Sequence, residues 1–185
     1  KSLVNCLSIN CLYKKNIRSF AVVGNSATIN VAKEEIIKAV KGLTGTSLSP
    51  SFSVAASSSL IIGSASSLKE ISSLINKEDL KKIETEGFLI FTTTSQPKKI
   101  IITANTDIGV LYGVFHFLRL LQTQQSLEQL HIISAPRIKL RLLNHWDNLN
   151  RTVERGYAGF SIWNWHTLPG YIDQRYIDYA RANAS

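Results

Sequence analysis

The sequence reads as an α+β domain followed by the opening of a different, barrel-type segment. Strand-like runs alternate with amphipathic helical spacing up to Pro136, two of those runs form a hairpin, and the texture changes at Arg137. The run 17–23 (IRSFAVV) is β-branched and aromatic and stops at the turn pair Gly24-Asn25, which predicts a strand. Thr28 is placed as the N-cap of a helix reaching about Leu43, with Ile29, Ala32, Ile36, Ala39 and Leu43 on one face. Gly42 and Gly45 stand where that helix should stop. The Ser-rich stretch 44–59, with Pro50, predicts a surface loop inside one domain, since apolar segments flank it on both sides. Residues 59–63 (SLIIG) predict a short buried strand, and 68–80 has weaker helical spacing through Leu68, Ile71 and Leu74 or Ile75.

The hairpin comes next. Residues 87–94 (GFLIFTTT) and 99–104 (KIIITA) are strand-like and joined by Ser95-Gln96-Pro97-Lys98. Asn105-Thr106-Asp107 then caps a helix over 108–122 that is apolar on nearly every side, which predicts burial across a sheet face. Gly109 and Gly113 fall on that helix and allow close backbone approach; no Gly-x-Gly-x-x-Gly or Walker pattern surrounds them to suggest a phosphate cradle. Polar residues 122–129 lead to a brief strand at 131–133, which Ser134-Ala135-Pro136 breaks. The domain boundary is placed there, giving an N-terminal domain over 1–136 and a second segment over 137–185.

Composition excludes several classes. The 185 residues are 44% hydrophobic and 18% charged, which is too apolar for a disordered chain. A membrane span needs about 18 consecutive apolar residues, and the longest candidate, 108–121, is interrupted by Gly113, His116 and Arg119. The chain opens without a secretory apolar stretch and contains no Met, so the natural chain is expected to begin upstream of Lys1 or to have lost a leader. Cys6 and Cys11 are too few for a disulfide framework or a zinc site, and no metal site is expected. With 21 Lys+Arg against 13 Asp+Glu, the net charge of +8 raises a basic module for nucleic acid or another polyanion. Yet Lys14-Lys15, Lys81-Lys82 and Lys98-Lys99 are scattered, with no RNA-binding aromatic motif or zinc finger beside them.

Beyond Arg137 the chain alternates apolar and basic residues through Ile138-Lys139-Leu140-Arg141-Leu142, then runs into Leu143-Asn144-His145-Trp146-Asp147-Asn148. A strand ending abruptly in polar and aromatic residues is the pattern of a barrel strand feeding an active-site mouth. All three Trp (Trp146, Trp163, Trp165) cluster here with Tyr157 and Phe160. Aromatic faces beside Asp147, Asn148, Glu154 and Arg155 would suit a sugar: rings match its C–H faces and polar groups fix its hydroxyls. Arg155 could also pair with a carboxylate on an acidic substrate. Core or interface packing would use the same aromatic residues, a structural ion pair would use Glu154-Arg155, and His145 and His166 would serve equally as ordinary hydrogen-bonded side chains. Composition leaves these readings open.

Residues 141–149 (RLLNHWDNL), followed by 153–159 (VERGYAG) and Ser161-Ile162, closely resemble the microbial α-glucuronidases of glycoside hydrolase family 67, whose signature reads NHWDN, a short spacer, IERGYAG and SIF. Residues 86–88 (EGF) with 105–121 (NTDIGVLYGVFHFLRLL) look like the end of that family's N-terminal domain, and 179–185 (YARANAS) like its first barrel helix and the turn after it. The resemblance is dense from Glu86 to Ser185 and thin before that.

The resemblance implies a hexosaminidase-type pre-barrel domain followed by the first strand or strands and first helix of a truncated (β/α)8 TIM barrel. It implies an inverting glycoside hydrolase that cleaves the α-1,2 bond releasing 4-O-methyl-D-glucuronic acid from the non-reducing end of short xylo-oligosaccharides. Neither metal nor organic cofactor is implied. The partner is a glucuronic-acid-substituted xylo-oligosaccharide rather than nucleic acid or a membrane, with room for a homodimer through regions outside this chain. The catalytic carboxylates come from later barrel strands, roughly 6.5–9.5 Å apart to admit the water, so no catalytic residue is assigned here. Trp146 is carried over as the residue packing against the uronic acid. Asp147, Glu154 and Arg155 are carried over as groups that hydrogen-bond the sugar or orient Trp146. Asn150-Arg151 stands where the family usually has Asp-Gly; Arg151 lacks the freedom of Gly, so a differently shaped loop is expected. Phe160 and Trp163 also depart from common choices. A hexosaminidase-like glycosidase shares the strand-hairpin-helix ending, but NHWDN and ERGYAG speak against it. The compartment stays open, since bacterial members are often cytoplasmic and fungal ones secreted.

Overall fold

The computed structural model describes residues 17–45, 47–153 and 159–185. Cys6, Cys11 and Lys14-Lys15 lie outside the described residues. The chain divides into two compact units, Lys1–Pro136 and Arg137–Ser185.

Among its described residues the first unit holds a five-stranded mixed sheet. Its strands are β1 (Phe20–Val23), β2 (Leu60–Ser64), β3 (Phe88–Thr92), β4 (Ile100–Ala104) and β5 (His131–Ser134). They lie in the order β1-β2-β4-β3-β5. β1, β2 and β4 run parallel, and β3 is antiparallel to both β4 and β5. β2 and β4 are buried at every position, which explains their unbroken Ile runs: a strand covered on both faces has no polar side to show. The expected start of β1 at Ile17 shifts to Phe20 because Arg18 and Ser19 donate their backbone N–H groups to the Ser59 hydroxyl, at 3.0 and 3.1 Å, instead of to a ladder. The Ser-rich stretch is a loop, and Ser51 in it bridges to Ala21, covering the outer side of β1.

Helix α1 (Ala27–Thr44) begins at Ser26 rather than Thr28: the Ser26 Oγ accepts the Ile29 N–H at 3.2 Å. It ends where Gly45 turns left-handed at φ 67°, donating its N–H to Lys41 O, so Gly42 is interior. The weak helical spacing at 68–80 resolves into a 3-10 turn (Lys69–Leu74) and helix α2 (Lys77–Lys82), capped by Asn76. The hairpin forms with Ile90 opposite Ile102. Helix α3 (Asp107–Gln122) starts at Thr106, whose Oγ1 accepts the Gly109 N–H. Its apolar character is not matched by all-round burial: Val110, Val114, Phe117 and Leu121 are fully covered, while Tyr112, Phe115, His116 and Leu120 are only half-buried and Arg119 is exposed. The helix packs on the sheet, against β2, β3 and β4, and on α1. Its glycines set how close it lies. A Cβ on Gly109 would stand 2.4 Å from Gly87 O, and one on Gly113 would stand 2.9 Å from Ile102 Cγ2.

Asp79 on α2 reaches the edge strand β5. Its carboxylate contacts His131 Nε2 at 2.9 Å and accepts from Lys82 Nζ at 3.2 Å. The His131 hydrogen bond, reinforced by Lys82, holds this carboxyl below the ordinary aspartate range against the opposing effect of burial.

In the second unit the expected strand over 138–142 does not form. Ile138, Leu140 and Leu142 are 68%, 73% and 77% exposed, and no ladder joins them to other described residues. Alternation supplies the side chains of a strand, but only a neighbouring backbone supplies its hydrogen bonds. The unit is held instead by bridges Asp147↔Val153 and Thr152↔Phe160 and by helix α4 (Gln174–Ala184), capped by Asp173. Between the bridged residues, Arg151 adopts φ 73°, the left-handed conformation that a glycine would take there. Arg151 thus takes a positive φ without the freedom of Gly. Arg151 offsets the strain by sending two guanidinium N–H groups, at 2.9 and 3.2 Å, to Ser161 O.

Three measurements check this account. Gly109→Ala should destabilise by about 3 kcal/mol through overpacking, whereas Gly42→Ala, with open space around it, should stabilise by about 0.8 kcal/mol; urea unfolding of both variants compares them. Because the native Asp79 carboxyl titrates below its unfolded value, its contribution is complete above the usual value of about 3.9 and is lost as pH falls through the native one. Wild type should thus lose more stability than Asp79→Asn as melts are taken from pH 5 down to pH 2. Finally, Arg151→Ala keeps the strain and loses the guanidinium bonds, so it should melt lower than Arg151→Gly by about 1 kcal/mol of stability.

Candidate functional site

The aromatic cluster of the second unit divides into two populations. Trp146 is 51% exposed, and Trp165 and Phe160 are also exposed. Trp163 turns inward and lies against Tyr176 of α4, with ring centroids 4.7 Å apart and planes 31° from parallel. Tyr176 and Tyr179 stand three apart on α4 and share a face, so Tyr179 meets the Trp163 ring edge-on at 5.6 Å. The Tyr176 hydroxyl accepts the Asn164 N–H at 2.7 Å, which ties the chain after Trp163 to the helix.

His145 sits at the centre of this arrangement. Trp163 Nε1 lies 3.4 Å from His145 Nδ1, and the Tyr179 hydroxyl lies 2.9 Å from His145 Nε2. An indole N–H only donates, so Nδ1 is the bare nitrogen and Nε2 carries the proton that it donates to Tyr179. One residue past Trp146, the Asp147 carboxylate accepts the Ser161 hydroxyl proton, and that same Ser161 oxygen accepts the Trp163 N–H at 3.0 Å. Ser161 is buried, which makes these bonds structurally committed.

Of the four substrate-contact candidates, Trp146 and Asp147 are therefore neighbours with different duties. Trp146 presents an aromatic surface, and Asp147 is engaged within the fold. Glu154 and Arg155 lie outside the described residues. His166 is exposed. Sequence reasoning gave no role to Ser161, Tyr176 or Tyr179 and left that of His145 open. The three-residue spacing of two tyrosines on α4 was the available signal.

Among the described residues no group of three His, Cys, Asp or Glu side chains could hold a metal ion, and no helix is long and apolar enough to cross a membrane. Among the described residues the paired lysines Lys81-Lys82 and Lys98-Lys99 are locally engaged. Lys81 meets Glu78 at 2.8 Å, Lys82 meets Asp79, and Lys98 and Lys99 donate to the carbonyls of Glu128 and Ala56.

Two family models cover nearly the whole chain. The glycosyl hydrolase family 67 N-terminus matches residues 3–117, and the glycosyl hydrolase family 67 middle domain matches residues 120–185. Probable alpha-glucuronidase A of Aspergillus fumigatus is 27% identical over 164 residues, which is 86% of this chain and 18% of that protein. Probable alpha-glucuronidase A of Aspergillus clavatus is 30% identical over 131 residues, or 69% of this chain and 14% of that protein. Alpha-glucuronidase A of Aspergillus tubingensis is 26% identical over 163 residues. The chain thus spans less than a fifth of the length of these relatives, at 14–18%. Among solved structures, a family GH115 4-O-methyl-alpha-glucuronidase with specificity for decorated arabinogalactans matches with a TM-score of 0.53 at 13% identity, over 78% of this chain and 21% of that one. At that identity the likeness concerns the fold. With both family models aligned end to end along it, this chain belongs to glycosyl hydrolase family 67.

Proposed function

We propose that this chain supplies the pre-barrel domain and the opening of the (β/α)8 catalytic barrel of an inverting α-glucuronidase. Its substrate is a short xylo-oligosaccharide carrying α-1,2-linked (4-O-methyl-)D-glucuronic acid, and the released uronic acid is the product. The observation that carries this reading is the succession of the family's N-terminus and middle domain along residues 3–117 and 120–185. The alpha-glucuronidase relatives support the same activity. The exposed apolar row Ile138, Leu140 and Leu142 supports the barrel: it is what a first strand presents before its neighbours cover it.

In this reading Trp146 lies at the end of that first strand, where barrel enzymes bind substrate. Its indole face packs against the C–H face of the uronic acid, and Asp147 holds the loop on which it stands. Glu154 and Arg155 are assigned to the same pocket by their place in the ERGYAG motif. Inversion needs a general acid on the glycosidic oxygen and a general base on a water at the opposite face of the ring. Both carboxylates are assigned to later strands of the barrel, so this chain contributes binding and orientation rather than proton transfer.

The test is release of 4-O-methylglucuronic acid from 4-O-methylglucuronosyl-xylobiose by the full-length enzyme. Trp146→Ala should lower kcat/KM at least tenfold, equivalent to about 1.4 kcal/mol of transition-state binding. An unchanged value removes Trp146 from the pocket, and absence of any uronic acid release by the wild type removes the activity.

A further inference from the structure

An exposed tryptophan binds a sugar well only if the chain beneath it is fixed, because ordering a loose loop on binding subtracts from affinity. Among the described residues no backbone ladder fixes residues 138–146; the first bridge begins at Asp147. The chain on either side of Trp146 is instead tied down by side-chain hydrogen bonds.

We propose that His145 is a positioning residue for Trp146: gripped between the Trp163 indole N–H and the Tyr179 hydroxyl, it sets the orientation in which Trp146 meets the uronic-acid substrate. This rests on the reading of Trp146 as a sugar contact. The geometry has three parts. First, both imidazole nitrogens are occupied, at 3.4 Å by Trp163 and at 2.9 Å by Tyr179, so the ring cannot tilt without breaking a bond. Second, its partners are themselves fixed. Trp163 is stacked on buried Tyr176 and bonded through its backbone to Ser161, and Tyr179 belongs to the same face of α4. Third, Asp147 also bonds to Ser161, so the residues on either side of Trp146 are tied to the same short segment, 161–163. His145 and Asp147, fixed on either side, limit the orientations open to Trp146, which is 51% exposed.

The same occupancy separates His145 from proton transfer. With Nδ1 accepting from the indole and Nε2 donating to Tyr179, no ring nitrogen is left for substrate. His145 acts through Trp146 or not at all, and that makes a double-mutant cycle decisive. In the full-length enzyme with 4-O-methylglucuronosyl-xylobiose, His145→Ala and Trp146→Ala should each lower kcat/KM about tenfold, chiefly through KM. The double variant should be no worse than Trp146→Ala alone. His145→Asn, which keeps an oxygen to accept the Trp163 N–H, should recover most of the loss. An additive, about hundredfold, loss in the double variant overturns the proposal, because His145 would then act independently of Trp146. An unchanged KM in His145→Ala, with Trp146→Ala still impaired, overturns it too. An unimpaired Trp146→Ala instead removes the sugar contact beneath both readings. Should His145→Ala not fold, Tyr179→Phe deletes one hydroxyl and keeps the ring. It should raise KM about threefold at an unchanged melting temperature, and an unchanged KM counts against the proposal.

Discussion

The first unit depends on one close approach between two glycine backbones. Gly87 enters β3 where any side chain would collide: a Cβ there would lie 2.3 Å from both Ile83 O and Ser134 O. Gly109, in the first turn of α3, brings its own Cα against Gly87 O. The end of α2, the start of β3, the end of β5 and the start of α3 are thereby drawn to one point. Side chains lock the junction from outside: Asn105 donates to Leu80 O at 2.8 Å, and the Thr106 hydroxyl to Thr85 O. Once α3 is seated there, Gly113 lets it continue flat over Ile102 and Phe88, and its far half reaches α1. The cost of two glycines, each worth up to about 1 kcal/mol against Ala in a helix interior, is offset by the burial of Val110, Val114, Phe117 and Leu121.

What could be read from the sequence follows the range of the interaction that decides each element. The cap at Asn105-Thr106-Asp107, the stop at Gly42 or Gly45 and the two strands of the hairpin were legible because each is settled within a few residues. The choice of Ser26 over Thr28 was not. Both are good caps, and what decides is that Gly24, at φ 124°, turns the chain straight out of β1 so that Ile29 falls into the core. The order β1-β2-β4-β3-β5 was equally hidden. It joins β2 to β4 across some forty residues, and only the complementary Ile-rich faces of the two strands record that pairing.

The second unit shows the same division at the site. NHWDN and VERGYAG identify the family, and the resemblance assigns Trp146 to the sugar, yet nothing in the sequence placed Trp163 against α4. Burial is a property of the partner: Trp163 lies against Tyr176, while Trp146 and Trp165 are exposed. Arg151 is the instructive case. Its side chain lacks the freedom of Gly, yet the turn lies between two bridges that constrain it. The backbone took φ 73°, and the side chain found compensation at Ser161 O.

That compensation bears on how a binding residue is held where no ladder exists. A ladder fixes a strand through its own amides and carbonyls and leaves every side chain free for other work. Without one at 138–146, fixation falls to side chains, and each residue so used is lost to the substrate. His145 and Asp147 carry that duty here, with Ser161, Trp163 and Tyr179 as their counterparts. Between these two anchored neighbours stands Trp146, 51% exposed. In the proposed reading, Trp146 is therefore a binding group set between two anchors, and the positions on either side of it are constrained by their hydrogen bonds to Ser161, Trp163 and Tyr179.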